Sequence, residues 1–442
     1  MTSRSLAIHC LLEQERTGEP VDQILAMLLD RHPLPDERDR QLAMAMVYGV
    51  LRHRRELDAL ISHFSKKGVA KLKAIVLQAL RIGLFQLLFM DRVPASAAVN
   101  ETVKGLGRQP KWLKGFVNGV LRSAHRDQSG TEELLAALPE EERCNHPAWL
   151  ISLWQQQFGA TETRAICLAN NSLPPLSLCL HAHCGSRDHY LSRLRQMGLA
   201  ARPGRYGEQA ILLDKWSGPI ADLPGYAEGC FHVQDEAAQL IASLFADLPA
   251  GAYLDGCAGL GGKTLLLDQV LPAEATLTAV EPHKQRTTLL QENLQRCRCR
   301  SIDLQRTTLQ EFAAACQRRY DGILLDAPCS GLGIIRRQPD IRWNRSAAEL
   351  HRLAAKQLAL LETAAPLVAE NGVLVYVTCS LASVENEDVI SAFLARQADF
   401  TVEAPSLVAP AAQLVTDKGF FRSLPSQGLD GFFAARLRKK RH

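Results

Sequence analysis

The stretch "GILLDAPCSG" spans residues 322–331, and "GVLVYVTCSL" spans residues 372–381. Each is an apolar run that stops abruptly at a small polar cluster holding a cysteine. Runs of this length, rich in Val, Ile and Leu and closed by Gly, Pro or Ser, read as strands buried on both faces. Two more have the same shape, "AYLDGCAG" at 252–259 and "ATLTAVEP" at 275–282. Helical spacing of apolar residues is expected between and after them, near 263–270, 284–296, 347–369 and 384–396. Strands alternating with helices give a mostly parallel, doubly wound α/β sheet. Ligands in such sheets bind beyond the carboxyl ends of the strands. Asp255, Glu281, Asp326, Cys329 and Cys379 all fall at those ends, which gathers them on one rim.

Upstream the pattern changes. Residues 4–126 keep three- and four-residue apolar spacing throughout and read as all helix. An acidic connection follows at 127–145. Residues 146–230 mix two helices ("HPAWLISLWQQQFG", "ETRAICLANN"), a strand ("LSLCLHAH"), a helix ("RDHYLSRLRQMG") and a short strand ("AILLD"). The expected division is a helical domain over 1–140, a small α+β subdomain over 145–230 and the doubly wound domain over 231–442.

Composition fits this picture. A chain of 442 residues exceeds one ordinary core. Its 47% apolar and 22% charged content is that of globular protein rather than disorder. No uncharged apolar run reaches membrane-spanning length and the first residues lack a signal-peptide core, so a cytoplasmic protein is expected, with no membrane association. The twelve cysteines show no zinc spacing. No metal is expected, and most cysteines should be small buried hydrophobes in a reducing compartment. Net charge is only +4, but fifteen Lys/Arg stand against four Asp/Glu between Arg52 and Arg126. That excess is either a solvated helix surface or a footprint for a polyanion such as RNA.

The turn "LDGCAGLGGKT" at 254–264 joins the first strand to a helix. A P-loop needs glycine where Cys257 stands, and a dinucleotide fingerprint needs glycine where Thr264 stands. With Glu281 ending the next strand, an acid suited to a ribose diol, the turn fits a nucleoside without polyphosphate, and S-adenosylmethionine is the common one.

The thiols suggest chemistry on a pyrimidine. C5 of cytosine or uracil is a poor nucleophile until a thiolate adds to C6, after which C5 can attack an electrophilic methyl group. One cysteine after a strand is usually packing. Two, at adjacent strand ends beside Asp326, favour catalysis.

The chain resembles the RNA cytosine-5 methyltransferases of the NOL1/NOP2/Sun family over almost its whole length. "DAPCSG" (326–331), "TCS" (378–380), "DGCAGLGGKT" (255–264) and "LDGFFAARL" (429–437) are similar to family motifs. "GIIRRQPDIRW" (333–343) resembles the bacterial Sun/Fmu branch, and "VYGVLRHRRELDALI", "LFQLLFMDRVPASAAVNETV" and "KGFVNGVLR" look like its NusB-like RNA-binding domain. The resemblance implies a Rossmann-like class I methyltransferase domain, S-adenosylmethionine as methyl donor and 16S rRNA as partner, with cytosine 967 the target and the protein a monomer. It implies Cys379 as nucleophile, Cys329 as the thiol that assists release, and Asp326 with Pro328 at the cytosine edge. Asp255, Gly256, Cys257, Ala258, Gly259, Leu260, Gly261, Gly262, Lys263, Glu281 and Asp326 would hold the donor, and Arg336, Arg337 and Arg342 would face the RNA backbone. Two departures stand out. Gly259-Leu260 replaces the family's Ala-Pro in the first motif, and Thr307 stands near the place where an acid usually meets the adenine, with Glu311 the nearest carboxylate downstream. The same chemistry on another rRNA or tRNA cytosine stays open here, as does an RNA-binding module with a vestigial catalytic half.

Overall fold

The computed structural model of the chain describes every residue except Ser217 and His442. It divides into two compact units, one of Met1–Ser172 with Ile335–Arg345, the other of Leu173–Ile334 with Ser346–His442.

The first unit is helical. The helix Ala74–Phe89 is apolar almost all round, so it is stable only at the centre of a bundle. Helices Ser3–Thr17, Glu37–Arg52, Arg54–Ser65, Ala95–Gly105 and Lys111–Arg126 surround it. Gly49 permits the closest crossing, because a Cβ there would stand 1.9 Å from Phe85 Cζ. Arg81, 3% exposed in this core, is held by Asp58 at 2.7 Å and Glu15 at 2.8 Å. The segment Ala148–Asn171 is two helices meeting at Gly159, whose φ of 79° breaks the helical path. The sequence reading expected these two helices and began the α+β subdomain with them; by compactness they group with the helical unit.

The second unit holds two sheets. β1 (Leu176–Leu180), β2 (Ala201–Pro203), β3 (Ala210–Leu213) and β4 (Phe231–Val233) form a small antiparallel sheet in the order β2-β3-β1-β4. Beside it Cys184 and Cys230 form a disulfide, which the expectation of reduced, buried cysteines did not foresee. The larger sheet contains β5 (Ala252–Asp255), β6 (Thr276–Val280), β7 (Asp303–Gln305), β8 (Tyr320–Asp326), β9 (Val368–Thr378), β10 (Phe400–Val402), β11 (Phe421–Ser423) and β12 (Phe432–Lys439). Its order is β10-β12-β9-β8-β5-β6-β7, with β11 paired on β12. β8, β5, β6, β7 and β9 run parallel, and β12 returns antiparallel to β9. This is the doubly wound architecture expected, with its four predicted strands at the centre.

β9 explains why the apolar run is continuous. Val373, Val375 and Val377 pack into one core with Phe421 and Phe432, while Leu374 and Tyr376 pack into the opposite core with Phe393 and Phe433. Side chains alternate between faces, and both faces are covered by protein.

The segment Ile335–Arg345 leaves the large sheet's chain and belongs to the helical unit. Arg52 donates to the Arg336 carbonyl at 3.1 Å, Trp343 Nε1 donates to Leu51 O at 2.7 Å, and Val21 N donates to Asp340 at 3.2 Å. Arg342 is fully buried and donates to Asn145 O at 3.0 Å, Asn171 Oδ1 at 2.6 Å and Asn170 O at 2.9 Å. Arg336 is 4% exposed. The expectation that Arg336 and Arg342 face RNA is therefore corrected: both side chains are enclosed, and a buried guanidinium neutralises no phosphate. Arg337, half-buried, keeps some exposure.

Arg342→Ala would leave several buried oxygens short of a donor. It is expected to destabilise the chain by about 3 kcal/mol in urea unfolding while leaving the salt dependence of RNA binding unchanged. Normal stability with a shallower salt slope would restore Arg342 to the RNA surface.

Candidate active site

β8 and β9 pair in parallel with Leu325 opposite Tyr376 and Asp326 opposite Val377, so the two chains leave the sheet at one level. Ala327 N donates to Val377 O at 2.9 Å, the last ladder bond before the turns. The turn after β8 then folds back onto the turn after β9, where Gly333 N donates to Cys379 O at 2.8 Å and Gly431 N donates to Gly333 O at 2.8 Å. A Cβ on Gly333 would stand 1.9 Å from Gly431 O, so only glycine permits this approach.

The result is two sulfurs side by side. Cys329 Sγ lies 3.2 Å from Cys379 Sγ and accepts from Cys379 N at 3.3 Å. Both residues are partly accessible. Cys329 is held well above the ordinary thiol range, first by its hydrogen bond to Cys379, then by burial and by the nearby Glu385 charge. Thiols this close carry at most one negative charge between them near neutrality.

Opposite them, Lys263 Nζ donates to Asp326 Oδ2 at 2.6 Å and lies 5.0 Å from the centre of the Phe432 ring. Burial works to lower the Lys263 pKa, but the Asp326 charge and hydrogen bond outweigh it, with Cys379 adding to the same side, and the ammonium is stabilised. Pro328 is exposed at the mouth of the turn, its carbonyl accepting from Gln357 Nε2 at 3.0 Å.

The glycine turn forms despite lacking proline. Gly259 and Gly261 take φ of 58° and 89°, Gly261 N donates to Ala258 O at 2.9 Å, and Asn293 Nδ2 donates to Leu260 O at 3.1 Å. Asp255 is 1% exposed; its Oδ2 accepts from Thr264 Oγ1 at 2.7 Å and Oδ1 weakly from Cys257 N at 3.4 Å. It braces the turn from beneath. Burial pushes its pKa up to about 6, against the Thr264 hydrogen bond. Burial also raises the Cys257 thiol. Glu281, 4% exposed, ends β6 and accepts from His283 N at 2.9 Å. Gly259 has open space where a side chain would stand, and Leu260 beside it is 51% exposed.

Thr307 donates its hydroxyl to Glu311 at 2.9 Å. Glu311 caps the helix Leu309–Ala315, accepting from Thr308 N at 3.0 Å and Thr308 Oγ1 at 2.8 Å, and these bonds lower its pKa. It is committed to the cap and is no stand-in for an acid at 307.

The structure thus brings Cys329, Cys379, Asp326 and Lys263 together at the carboxyl ends of β5, β8 and β9, with Asp255 and Cys257 near enough to feel the Asp326 charge. The sequence reading passed over Ser330, Gln357, Ser380, Glu385 and Asn386, which surround the thiols from behind. Their only sign was an acid six residues after Cys379 in "TCSLASVENED". Among the described residues no helix is long and apolar enough to cross a membrane, and no His, Cys, Asp or Glu cluster is arranged to hold a metal ion.

Three family descriptions match the chain: NusB family over residues 1–126, a RsmF/B-like ferredoxin-like domain over 146–218, and 16S rRNA methyltransferase RsmB/F over 244–438. Ribosomal RNA small subunit methyltransferase B of Pseudomonas putida is 38% identical over 426 residues, 91% of each chain. The protein of the same name in Serratia proteamaculans is 36% identical over 441 residues, 98% of this chain and 97% of its own. The crystal structure of PH0851 superimposes with a TM-score of 0.80 at 21% identity, covering 99% of both chains. NSun6 from Pyrococcus horikoshii, solved with SFG, gives 0.59 at 19% identity over 67% of this chain and 99% of its own.

The Asp255 carboxyl yields a pH test. Its pKa is 3.8 when unfolded and about 6 when folded. Relative to asparagine, the aspartate's contribution is fully present below the unfolded value and is lost as pH rises through the folded one. The stability difference between the parent and Asp255→Asn is expected to shift by roughly 2 kcal/mol in favour of the variant between pH 4 and pH 7. A pH-independent difference in urea unfolding would mean that the carboxyl is not desolvated.

Proposed function

The chain belongs to the 16S rRNA methyltransferase RsmB/F family, and on that basis we propose that it methylates C5 of a cytosine in 16S rRNA through a transient bond from Cys379 Sγ to C6 of the base. The observation that carries this reading is the sulfur pair at 3.2 Å, set beside the Lys263–Asp326 pair at 2.6 Å on one strand-end rim. The branch resemblance makes cytosine 967 the target and has the protein work in the cytoplasm as a monomer.

Cys379 adds as the thiolate, the nucleophilic form of sulfur. The new C6–S bond moves the ring's electron density onto C5 and the N3/N4 edge, where the Asp326 side chain, held by Lys263, meets it. S-adenosylmethionine is the methyl donor: it would supply an electrophilic methyl group, the S–CH3 bond breaking as C5 takes the methyl and the sulfonium leaving as a neutral thioether. The open backbone at Gly259 and the buried acid of Glu281 fit such a nucleoside, which the turn Gly256–Lys263, Glu281 and Thr307 would hold. Once C5 carries the methyl group, a base takes the C5 proton, that electron pair restores the C5–C6 double bond, and sulfur departs as thiolate. Cys329, protonated and in contact with the departing sulfur, assists by hydrogen bonding to it.

Binding of the RNA is assigned to the helical unit, joined there by Arg337. Lys66, Lys67, Lys71, Lys73, Arg92, Arg108, Lys111, Arg122 and Arg126 are exposed on it, and Trp112 is 68% exposed beneath Lys73. Flipping a base from structured RNA costs a few kcal/mol, which phosphate contacts of this kind offset.

Cys379→Ala is expected to abolish transfer of label from S-adenosylmethionine to small-subunit rRNA. Cys329→Ala should instead accumulate an RNA–protein adduct that survives denaturant on a gel; an adduct from Cys379→Ala would exchange the two roles. Bisulfite mapping of rRNA from a strain lacking the protein should show one cytosine losing its methyl group, at 967. The transfer rate should fall steeply with salt, and a flat profile would remove the basic surface from the account.

A further inference from the structure

The carboxylate of Glu385 sits behind the sulfur pair and is fully buried. Donors from three separate segments converge on it. Oε1 accepts from Ser330 N at 2.8 Å and from Gln357 Nε2 at 3.0 Å. Oε2 accepts from Ser330 Oγ at 2.5 Å and from Ser380 Oγ at 2.5 Å, and those hydroxyls lie 3.0 Å apart. Ser330 and Ser380 are the residues immediately after Cys329 and Cys379. The next residue, Asn386, brackets Cys379 from the other side, accepting from Thr378 Oγ1 at 2.6 Å and donating to Ser380 O at 2.9 Å.

Burying a carboxylate is costly even when donors surround it, and an apolar side chain would fill the space more cheaply. What an apolar residue cannot do is hold two turns that arrive from different strands, 50 residues apart in sequence, in one fixed relation. We infer that Glu385 is a positioning residue: it ties the turn after β8 to the turn after β9 and thereby sets the distance and angle at which the Cys329 thiol meets Cys379. Neither sulfur touches Glu385 through a hydrogen bond, so its action is through Ser330 and Ser380. The negative charge also works against a second thiolate at Cys329, behind the larger effects of the Cys379 hydrogen bond and burial. The inference rests on the reading that these thiols carry the reaction.

The test compares Glu385→Ala, Glu385→Gln and the parent by two measurements. The first is the rate at which diamide oxidises the pair to a Cys329–Cys379 disulfide, followed by peptide mass spectrometry with neither RNA nor methyl donor present. The second is the split between kcat and KM in methyl transfer. Glu385→Ala is expected to slow the cross-link and to lower kcat by about a hundredfold, with KM for both substrates unchanged. Glu385→Gln keeps an acceptor for Ser330 N and should recover most of both. A cross-linking rate equal to the parent's in Glu385→Ala overturns the proposal whatever happens to kcat, and so does an unchanged kcat. If Glu385→Ala does not fold, the Ser330→Ala, Ser380→Ala double variant removes the hydroxyl donors instead: the same paired losses support the clamp, and parental behaviour overturns it. Activity persisting in Cys379→Ala would defeat the thiol chemistry alone, because the cross-linking rate reports the geometry without it.

Discussion

The site depends on the register of β8 against β9. Parallel pairing places Asp326 opposite Val377, and the two cysteines follow at fixed distances along the chain. A slip of one residue would displace one turn by about 3.3 Å, as much as the whole separation of 3.2 Å between the sulfurs. It would also turn Val373, Val375 and Val377 into the core that now receives Leu374 and Tyr376. Because interiors are close-packed, side chains of different shape cannot simply exchange faces. The apolar packing of the strand therefore specifies sulfur geometry beyond its end, and the same residues that stabilise the sheet aim the site.

Polar groups then refine what the sheet sets up. Asp255 and Glu385 are buried and Lys263 is largely so, each against a penalty for burying charge. Each is met by partners from another segment: Thr264 for Asp255, Asp326 for Lys263, and Ser330 with Ser380 for Glu385. Such networks are costly when half-made and rigid when complete. They concentrate at the carboxyl edge of the sheet, where irregular turns have no ladder to hold them.

Much of this was legible from residues 252–380 because a buried strand leaves a local signature and its end is marked by Gly, Pro or an acid. What failed to read had causes that are not local. Arg336 and Arg342 lie in a charged loop, and charged loops are ordinarily solvated. Only docking of Ile335–Arg345 onto residues distant in sequence encloses them. Pairing of Cys184 with Cys230 requires β1 and β4 to be neighbours, and β4 is only three residues long. Glu385 stands in "SVENED", which reads as the acidic first turn of a helix. The Glu311 cap was different, since Thr308 three residues before Glu311 is a local signature and was available in the sequence.

The asymmetry between the two cysteines follows from what faces each. The Cys329 thiol is raised by the Cys379 hydrogen bond and by burial, and the Glu385 charge adds to both. Cys379 stands where its charge is felt by the Lys263 ammonium. The Cys379 hydrogen bond, burial and the Glu385 charge together favour the protonated form of Cys329. This fits the proposed division of labour, in which Cys329 keeps a proton with which to hydrogen-bond the departing sulfur. Lys263 serves both ends of that arrangement, because its bond to Asp326 fixes the carboxylate at the position proposed for the base edge.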